Sequence, residues 1–130
     1  MKILFCKRKW RSGFSAGPRF MQRQIRDAVE GWVEQKGFTK RLTNLGQIAD
    51  DIGIPADQLS LYVRIRKQKS VLTWRKELRI REACENLLNY PELPISVIGE
   101  MVGIDDKTNF KRQFRQVMGM HPRAWREKHL

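Results

Sequence analysis

The sequence predicts an all-α fold of about seven helices. Apolar residues recur at steps of three and four along most of the chain, which is the spacing of one helix face. The apolar–polar alternation of strands is rare, and only 5 of the 130 residues are proline. In addition, one pattern occurs twice, at 48–63 and 98–114, and each copy is typical of a short helix, a glycine turn and a second helix. These observations predict two helix-turn-helix units.

The two copies match at the positions that such a unit needs. The matching residues are Ile48, Ala49, Ile52, Gly53 and Ile54 in the first copy and Ile98, Gly99, Val102, Gly103 and Ile104 in the second. A small residue is required where the two helices cross, and Ala49 and Gly99 supply it. A residue that tolerates a positive φ is required in the turn, and Gly53 and Gly103 supply it. Leu59 and Val63 then correspond to Phe110 and Phe114 as inward-facing residues of the second helix.

The first two helices are predicted from an apolar stripe and from capping signals. An irregular basic arm over 1–19 precedes a helix at about 20–36, whose apolar stripe includes Trp32. Gly37 suits the C-terminal stop of this helix. Asn44 is a good N-cap for the second helix, and Gln47, three residues later, is its expected capping-box partner.

Proline and serine signals predict the later helices. Pro55 cannot continue the second helix but can open a third, and Ser70 can cap a long linker helix. Trp74 and Trp125 fall on apolar stripes and are predicted to be core residues, like Trp32. The expected bounds are 56–67, 71–89, 95–102, 107–118 and about 122–128. They form a first unit at about 44–67, a linker helix at about 71–89 and a second unit at about 95–118, within one domain, 20–130.

The charge of the chain favours an anionic partner. The net charge is +12, which indicates either nucleic acid or an acidic membrane surface. Residues 1–26 carry eight basic and no acidic residues, so the remaining 18 basic residues stand against all 14 acidic ones. The domain itself is therefore only modestly basic, and a prediction of DNA binding depends on its motifs.

The second helix of each unit is predicted to present one stripe of residues to the solvent. The stripe residues are Asp57, Ser60, Leu61 and Arg64 in the first unit, and Lys107, Thr108, Lys111, Arg112 and Arg115 in the second. A single charged helix face is usually just solvated, but such a stripe can also contact base edges and phosphates in a major groove. A linker helix of about 28 Å can set two such helices near one DNA turn apart, about 34 Å, in successive major grooves.

At these motifs the chain resembles the DNA-binding domain of the AraC/XylS family of transcriptional regulators, over about residues 42–127. The most specific matches are Ile95, Ile98, Gly103, Phe110, Phe114, Gly119, Pro122, Trp125 and Arg126, with Trp74, Leu78, Arg79, Ile80, Ala83, Leu87 and Leu88 in the linker helix. The resemblance implies two helix-turn-helix units joined by a linker helix. It also implies sequence-specific binding of double-stranded DNA, regulation of transcription, and RNA polymerase as a partner.

The resemblance also implies roles for individual residues. The base-reading candidates are Asp57, Ser60, Leu61, Lys107, Thr108, Lys111 and Arg112, and the phosphate-contacting candidates are Arg64 and Arg115. Arg79 is expected to hold a polar contact beside the core. The chain departs from the family at Gln68, where a glycine is common, and at Gly99, where an alanine is usual. Asp57 repels phosphates, although it can accept from cytosine N4, so we expect the second unit to carry more of the affinity.

No catalytic, metal or cofactor site is predicted. Cys6 and Cys84 lack the spacing of a zinc site, no phosphate loop or nucleophile motif occurs, and no small-molecule ligand is expected. His121 and His129 both lie in the tail. The acidic pairs at 50–51 and 105–106 are better explained as helix-end residues than as metal ligands. An enzyme is therefore the least favoured of the hypotheses.

A second hypothesis concerns membranes. No run reaches the roughly 18 apolar residues of a membrane span, and a cytoplasmic protein is expected. However, the apolar segment 1–6 followed by Lys7, Arg8, Lys9, Trp10 and Arg11 is typical of the cytoplasmic end of a membrane helix. Trp32-Val33 followed by Gly37-Phe38 is similar to a family subgroup whose domain follows membrane helices. A membrane tether through a further N-terminal region, with this chain as the cytoplasmic domain, is therefore a second expectation. The alternative function is a protein-interaction or membrane-surface module, in which the basic arm contacts anionic lipid.

Overall fold

The computed structural model describes residues 18–130, with side chains from Met21 onward. Within this range the chain forms seven α-helices and no strand, which confirms the predicted all-α class. The helices are α1 (Pro18–Glu34), α2 (Leu45–Ile52), α3 (Ala56–Lys67), α4 (Val71–Asn89), α5 (Ile95–Met101), α6 (Lys107–Met118) and α7 (Pro122–His129), with a short 3-10 helix at Gly37–Thr39. The described chain divides into an amino-terminal unit, which includes Leu42–Trp74, and a carboxy-terminal unit formed by Phe38–Arg41 and Arg75–Leu130.

Three helices have the bounds that the sequence predicts, namely α3, α4 and α6. Local signals explain this agreement for α6. The carboxylate of Asp106 accepts a hydrogen bond of 2.7 Å from the backbone N–H of Asn109 at the start of the helix. Gly119, with φ of 81°, takes the left-handed conformation at its end.

The prediction for the end of the first helix is wrong. The helix ends at Glu34, and the left-handed residue after it is Lys36, with φ of 59°, rather than Gly37. Gly37 is required for packing instead, because a Cβ atom at this position would overlap the indole of Trp32. The helix also begins at Pro18 rather than at residue 20, since proline suits a first turn whose N–H groups have no partner. The rest of the predicted basic arm lies outside the described residues.

The N-cap of α2 is confirmed, but the reciprocal bond of the predicted capping box differs. The side-chain oxygen of Asn44 accepts from the backbone N–H of Gln47 at 2.9 Å, as expected. The side chain of Gln47, however, accepts from the N–H and the hydroxyl of Thr43, at 2.7 and 2.9 Å, and not from the N–H of Asn44. The reciprocal bond of the capping box is thus displaced by one residue.

Two tryptophans form the centre of the amino-terminal unit. Trp32 and Trp74 are buried, and their ring centroids lie 5.6 Å apart. The indole N–H of Trp32 donates to the carboxylate of Asp51 at 2.8 Å. This bond meets the requirement of a buried tryptophan for a polar partner. It also gives Asp51, predicted only as a helix-end residue, a structural role.

The carboxy-terminal unit has its own apolar core. Its buried residues are Ile80, Ala83, Cys84, Leu87, Ile98, Val102, Ile104, Phe110, Phe114 and Trp125. Phe114 contacts Trp125 edge-on, with ring centroids 6.1 Å apart. Burial raises the pKa of the Cys84 thiol to about 11. Cys84 is therefore a neutral core residue at physiological pH, as the sequence predicts.

Arg79 is the buried charged residue of this core. Its guanidinium donates to the backbone carbonyl oxygens of Phe38, at 2.6 Å, and of Lys40, at 2.7 Å. Burial and the neighbouring Arg75 lower the pKa of Arg79 to about 10, so it stays charged at neutral pH. The predicted structural role of Arg79 is confirmed, and the segment before α2 is held against α4 through it.

Candidate nucleic-acid interface

Both helix-turn-helix units contain the same glycine turn. Gly53 has a φ of 95° and Gly103 a φ of 91°, values that residues with a Cβ atom rarely adopt. The residue after each glycine donates its N–H to the small residue of the first helix. Ile54 donates to the carbonyl of Ala49 at 3.2 Å, and Ile104 donates to that of Gly99 at 2.9 Å. The repeated pattern therefore corresponds to a repeated geometry.

The small residue of the second unit lies where two helices meet closely. A Cβ atom on Gly99 would lie 2.9 Å from Cγ of Phe110 and 3.0 Å from the carbonyl oxygen of Ile104. This close approach confirms the expectation that packing explains the glycine. It allows α5 and α6 to come together on the side of α6 that carries Phe110, and the opposite side of α6 remains open.

In α3, Leu59 and Val63 face the core and the predicted stripe faces the solvent. Leu59 and Val63 are fully buried, whereas Asp57, Leu61 and Arg64 are exposed and Ser60 is partly buried. Asp57 lies in the first turn, where its carboxylate accepts from the N–H of the next residue at 2.9 Å.

The structure adds one residue to the stripe of α3. Ile65 is 63% exposed and lies one turn beyond Leu61, which is 53% exposed. The sequence contains the signal for it, because residues four apart share a helix face. The predicted stripe ended at Arg64, one residue earlier, and therefore did not include Ile65.

The stripe of α6 is more strongly basic. Phe110 and Phe114 are buried, while all five predicted residues, Lys107, Thr108, Lys111, Arg112 and Arg115, are exposed. The guanidinium of Arg112 donates to the side-chain oxygen of Asn109, which orients it along the helix. No acidic residue lies within α6. The helix therefore carries four cations, all exposed.

Gln116 is a further exposed residue of α6 that was not predicted as part of the stripe. Its side-chain oxygen accepts from Nζ of Lys76, on α4, at 3.3 Å. Gln116 corresponds in the repeat to Ile65, as Arg112 corresponds to Leu61 and Thr108 to Asp57. The two stripes thus occupy equivalent positions but differ in chemistry, since one is basic and hydrogen-bonding and the other is partly apolar.

An ion pair orders the turn before α6. The guanidinium of Arg41 donates to both carboxylate oxygens of Asp105, at 2.7 and 2.6 Å, and to the carbonyl oxygen of Glu100 at 3.0 Å. Its hydrogen bond to Arg41 lowers the pKa of Asp105. The acidic pair 105–106 was predicted to lie at a helix end, and the two carboxylates there have separate tasks, since Asp106 caps α6 and Asp105 pairs with Arg41.

Other predicted features have structural explanations. His129 stacks on Trp125, with ring centroids 4.1 Å apart, while His121 is exposed. Over residues 18–130 no group of histidine, cysteine and acidic side chains has the arrangement of a metal site. In the same part of the chain, no helix has both the length and the apolar character needed to cross a membrane.

Comparison with known proteins agrees with this geometry. The model of a family described as a helix-turn-helix domain matches residues 48–128. The arabinose operon regulatory protein of Escherichia coli (strain K12) is 32% identical over 83 residues, which are 64% of this chain and 28% of that protein. The chain therefore corresponds to less than a third of the length of this relative.

Solved structures show the same fold. The C-terminal domain of AraT, a response regulator from Geobacillus stearothermophilus, is 28% identical, with a TM-score of 0.70 over 82% of this chain and 85% of that one. The DNA-binding domain of AdpA, solved in complex with a target DNA, is 16% identical, with a TM-score of 0.66 over 81% of this chain and 91% of the other. At that level of identity the second likeness concerns the fold alone.

The chain contains a repeated glycine turn, exposed stripes on α3 and α6, and a match to the helix-turn-helix family. It is therefore a helix-turn-helix DNA-binding domain of a transcription regulator. The chain belongs to the AraC/XylS family, as its sequence motifs predict. Membership of this family excludes the enzyme hypothesis for the domain.

Proposed function

We propose that this domain binds double-stranded DNA at specific sequences, with α3 and α6 as recognition helices in successive major grooves. The main support is the exposed stripe of α6, where four cations stand on a helix without acidic residues. An α-helix fits the width of the major groove, and cations are attracted to its phosphate edges. The 19 residues of α4 correspond to about 28 Å, a length compatible with readout of two grooves.

Each residue of the α6 stripe has a role in this proposal. Arg112 donates two hydrogen bonds to a guanine, the commonest specific contact in the major groove. Lys107, Thr108 and Lys111 contact base edges beside it. Arg115, one turn further along the helix, contacts a phosphate and sets the register of α6.

The α3 stripe has the weaker role. Asp57 accepts from cytosine N4 and disfavours other bases at the same position, and Ser60 and Leu61 contact the neighbouring bases. Arg64 contacts a phosphate. With one cation against one carboxylate, this stripe contributes mainly to the choice of site.

The regulatory part of the proposal involves further partners. A regulator that is bound to DNA acts on transcription through RNA polymerase, so we include a contact with the polymerase. No small-molecule ligand is assigned to the domain. A protein-interaction or membrane-surface function of the basic arm remains the alternative proposal, and residues 1–17 of this arm lie outside the described residues.

Selection of bound sequences from a random DNA pool, followed by titration of the selected site, tests the proposal. The double variant K111A/R112A, which loses two proposed base contacts, should bind the selected site about 100- to 1,000-fold more weakly. The matched control is R81A/K128A, which removes the same charge from exposed positions outside α6, and it should bind almost normally. A plot of the logarithm of the association constant against the logarithm of the salt concentration should have a negative slope. Each contacted phosphate should contribute about 0.9 to the steepness of this slope.

The same variants distinguish the alternative function. Removal of residues 1–17 deletes no residue of the described helices and should change specific DNA binding only modestly. If no sequence is enriched, and if this truncation instead abolishes binding to phosphatidylserine vesicles while K111A/R112A has no effect, the membrane-surface function replaces the proposed one.

A further inference from the structure

Leu61 and Ile65 are the outermost apolar side chains of α3. Leu61 lies two residues from both Leu59 and Val63, so at about 100° per residue it points away from the core that buries them. Ile65 follows one turn later, about 40° around the helix. The exposed fractions, 53% for Leu61 and 63% for Ile65, agree with this placement.

These residues stand where the second unit has hydrogen-bonding groups. Leu61 corresponds to Arg112 and Ile65 to Gln116. An arginine or a glutamine can read the polar edge of a purine, but a branched aliphatic side chain has no such group. If α3 reads bases at these two positions, it reads an apolar feature of the base pair.

The major groove presents one apolar group, the C5-methyl of thymine. We propose that Leu61 and Ile65 contact thymine methyl groups, so that the first unit selects a site that carries thymine at two neighbouring positions. This inference rests on the proposed entry of α3 into a major groove. It adds Ile65 to the residues that determine specificity, and it gives Leu61 a defined chemical target.

The flanking residues support a DNA partner for this apolar pair. Arg64 is exposed next to Ile65 along the chain and is placed to contact a phosphate, while Asp57 lies one turn before Leu61. Arg66 is directed elsewhere, because its guanidinium lies over the ring of Tyr62, 5.7 Å from the centroid. The apolar pair is thus continuous with the charged residues of the same proposed interface.

Replacement of thymine by deoxyuridine tests the inference directly, because it removes the methyl group and leaves the hydrogen-bonding edge unchanged. Each thymine of the selected site is replaced in turn, and affinity is measured for the wild-type protein. Replacement of a contacted thymine should weaken binding about fourfold, the effect of one buried methyl group. Two such positions are expected, and they should lie in the half-site whose preference changes when L61A is put through the same selection.

The variants identify the side chains responsible. L61A and I65A should each bind more weakly and lose the sensitivity to deoxyuridine at one position. L72A is the matched control, since Leu72 is 48% exposed in the amino-terminal unit but lies on α4, and it should keep both sensitivities. R112A should also keep them, at a lower overall affinity.

Two results would overturn the inference while leaving the proposed function intact. In one, a specific site is selected but no thymine is sensitive to the loss of its methyl group. In the other, L61A and I65A retain the sensitivity to deoxyuridine, but sedimentation shows that the wild-type protein self-associates and that these variants do not. Leu61 and Ile65 would then contact a second copy of the chain instead of thymine. Enrichment of no sequence at all is a different outcome, which refutes sequence-specific binding itself.

Discussion

The guanidinium of Arg79 is bound to the backbone carbonyl of Phe38 at 2.6 Å, across 41 residues of the chain. Its second bond, to the carbonyl of Lys40, is 2.7 Å long. The partners are carbonyl oxygens rather than a carboxylate, so the interaction ties a backbone segment to α4 and does not neutralise the charge. Arg79 is only 8% exposed, so water has little access to this site. Loss of the Arg79 donors would therefore leave the two carbonyl oxygens without these hydrogen bonds and without water to replace them.

Replacement of Arg79 by methionine should destabilise the protein by about 2 to 4 kcal/mol, since two charge-assisted hydrogen bonds are lost. Urea unfolding followed by circular dichroism measures this change. Lysine at position 79 should recover only part of the loss, because its single amino group cannot match the fork of a guanidinium. R81A, an exposed change on the same helix, should be neutral within about 0.5 kcal/mol. Equal stability of R79M and R81A would contradict this structural role.

Gly99 and Gly31 should respond in opposite ways to replacement by alanine. Helix propensity alone favours alanine at both by about 0.5 to 1 kcal/mol. A Cβ atom on Gly31 would meet nothing within 4 Å, so G31A should be stabilising, whereas a Cβ atom on Gly99 would lie 2.9 Å from Phe110. G99A should therefore cost about 1 to 3 kcal/mol through overpacking.

A double-mutant cycle with F110L checks the cause of this cost. If Phe110 is the side chain that the new methyl group meets, G99A should be less costly in the F110L background than in the wild type. Urea unfolding of the four proteins gives the coupling. Strict additivity would show that Phe110 is not the obstacle, and the carbonyl of Ile104 would then be the remaining one.

Because of the ion pair between Arg41 and Asp105, the stability of the protein should vary with pH in the acidic range. The hydrogen bond from Arg41 lowers the pKa of Asp105 in the folded protein, below the unfolded value of about 3.9. Its contribution to stability is thus fully present above pH 4, approximately, and is lost as the pH falls through the folded pKa. NMR titration of the Asp105 carboxyl carbon should give a pKa below the ordinary value, and R41Q should return it towards that value. An unchanged pKa in R41Q would show that the pair does not form in solution.

DNA binding should depend more on α6 than on α3. R112A should weaken binding to the selected site about 10- to 100-fold, as expected for the loss of one bidentate base contact. R115A should weaken binding to all sequences alike and reduce the salt slope by about 0.9.

D57N should change base preference while leaving affinity the same or higher, since it removes a charge that phosphates repel. A larger loss from D57N than from R112A would reverse the proposed order of the two units.

The features that were predicted correctly from the sequence depend on residues that lie close together along the chain. The ends of α6 were predictable because Asp106 and Gly119 act within one turn of the helix. The stripes were predictable because inward and outward residues alternate with the period of the helix. The errors have local causes too, since Lys36 took the left-handed conformation expected of Gly37, and Thr43 took the bond expected of Asn44.

By itself, therefore, the sequence determined the helices, their repeated arrangement and the side of each recognition helix that faces the solvent. These features depend on residues within a turn or two of one another. Only the tertiary structure decided the partners of distant polar groups, such as Trp32 with Asp51 across 19 residues and Arg41 with Asp105 across 64. No helical period records such pairs, because they form only when separate helices pack and bring the two side chains within hydrogen-bonding distance.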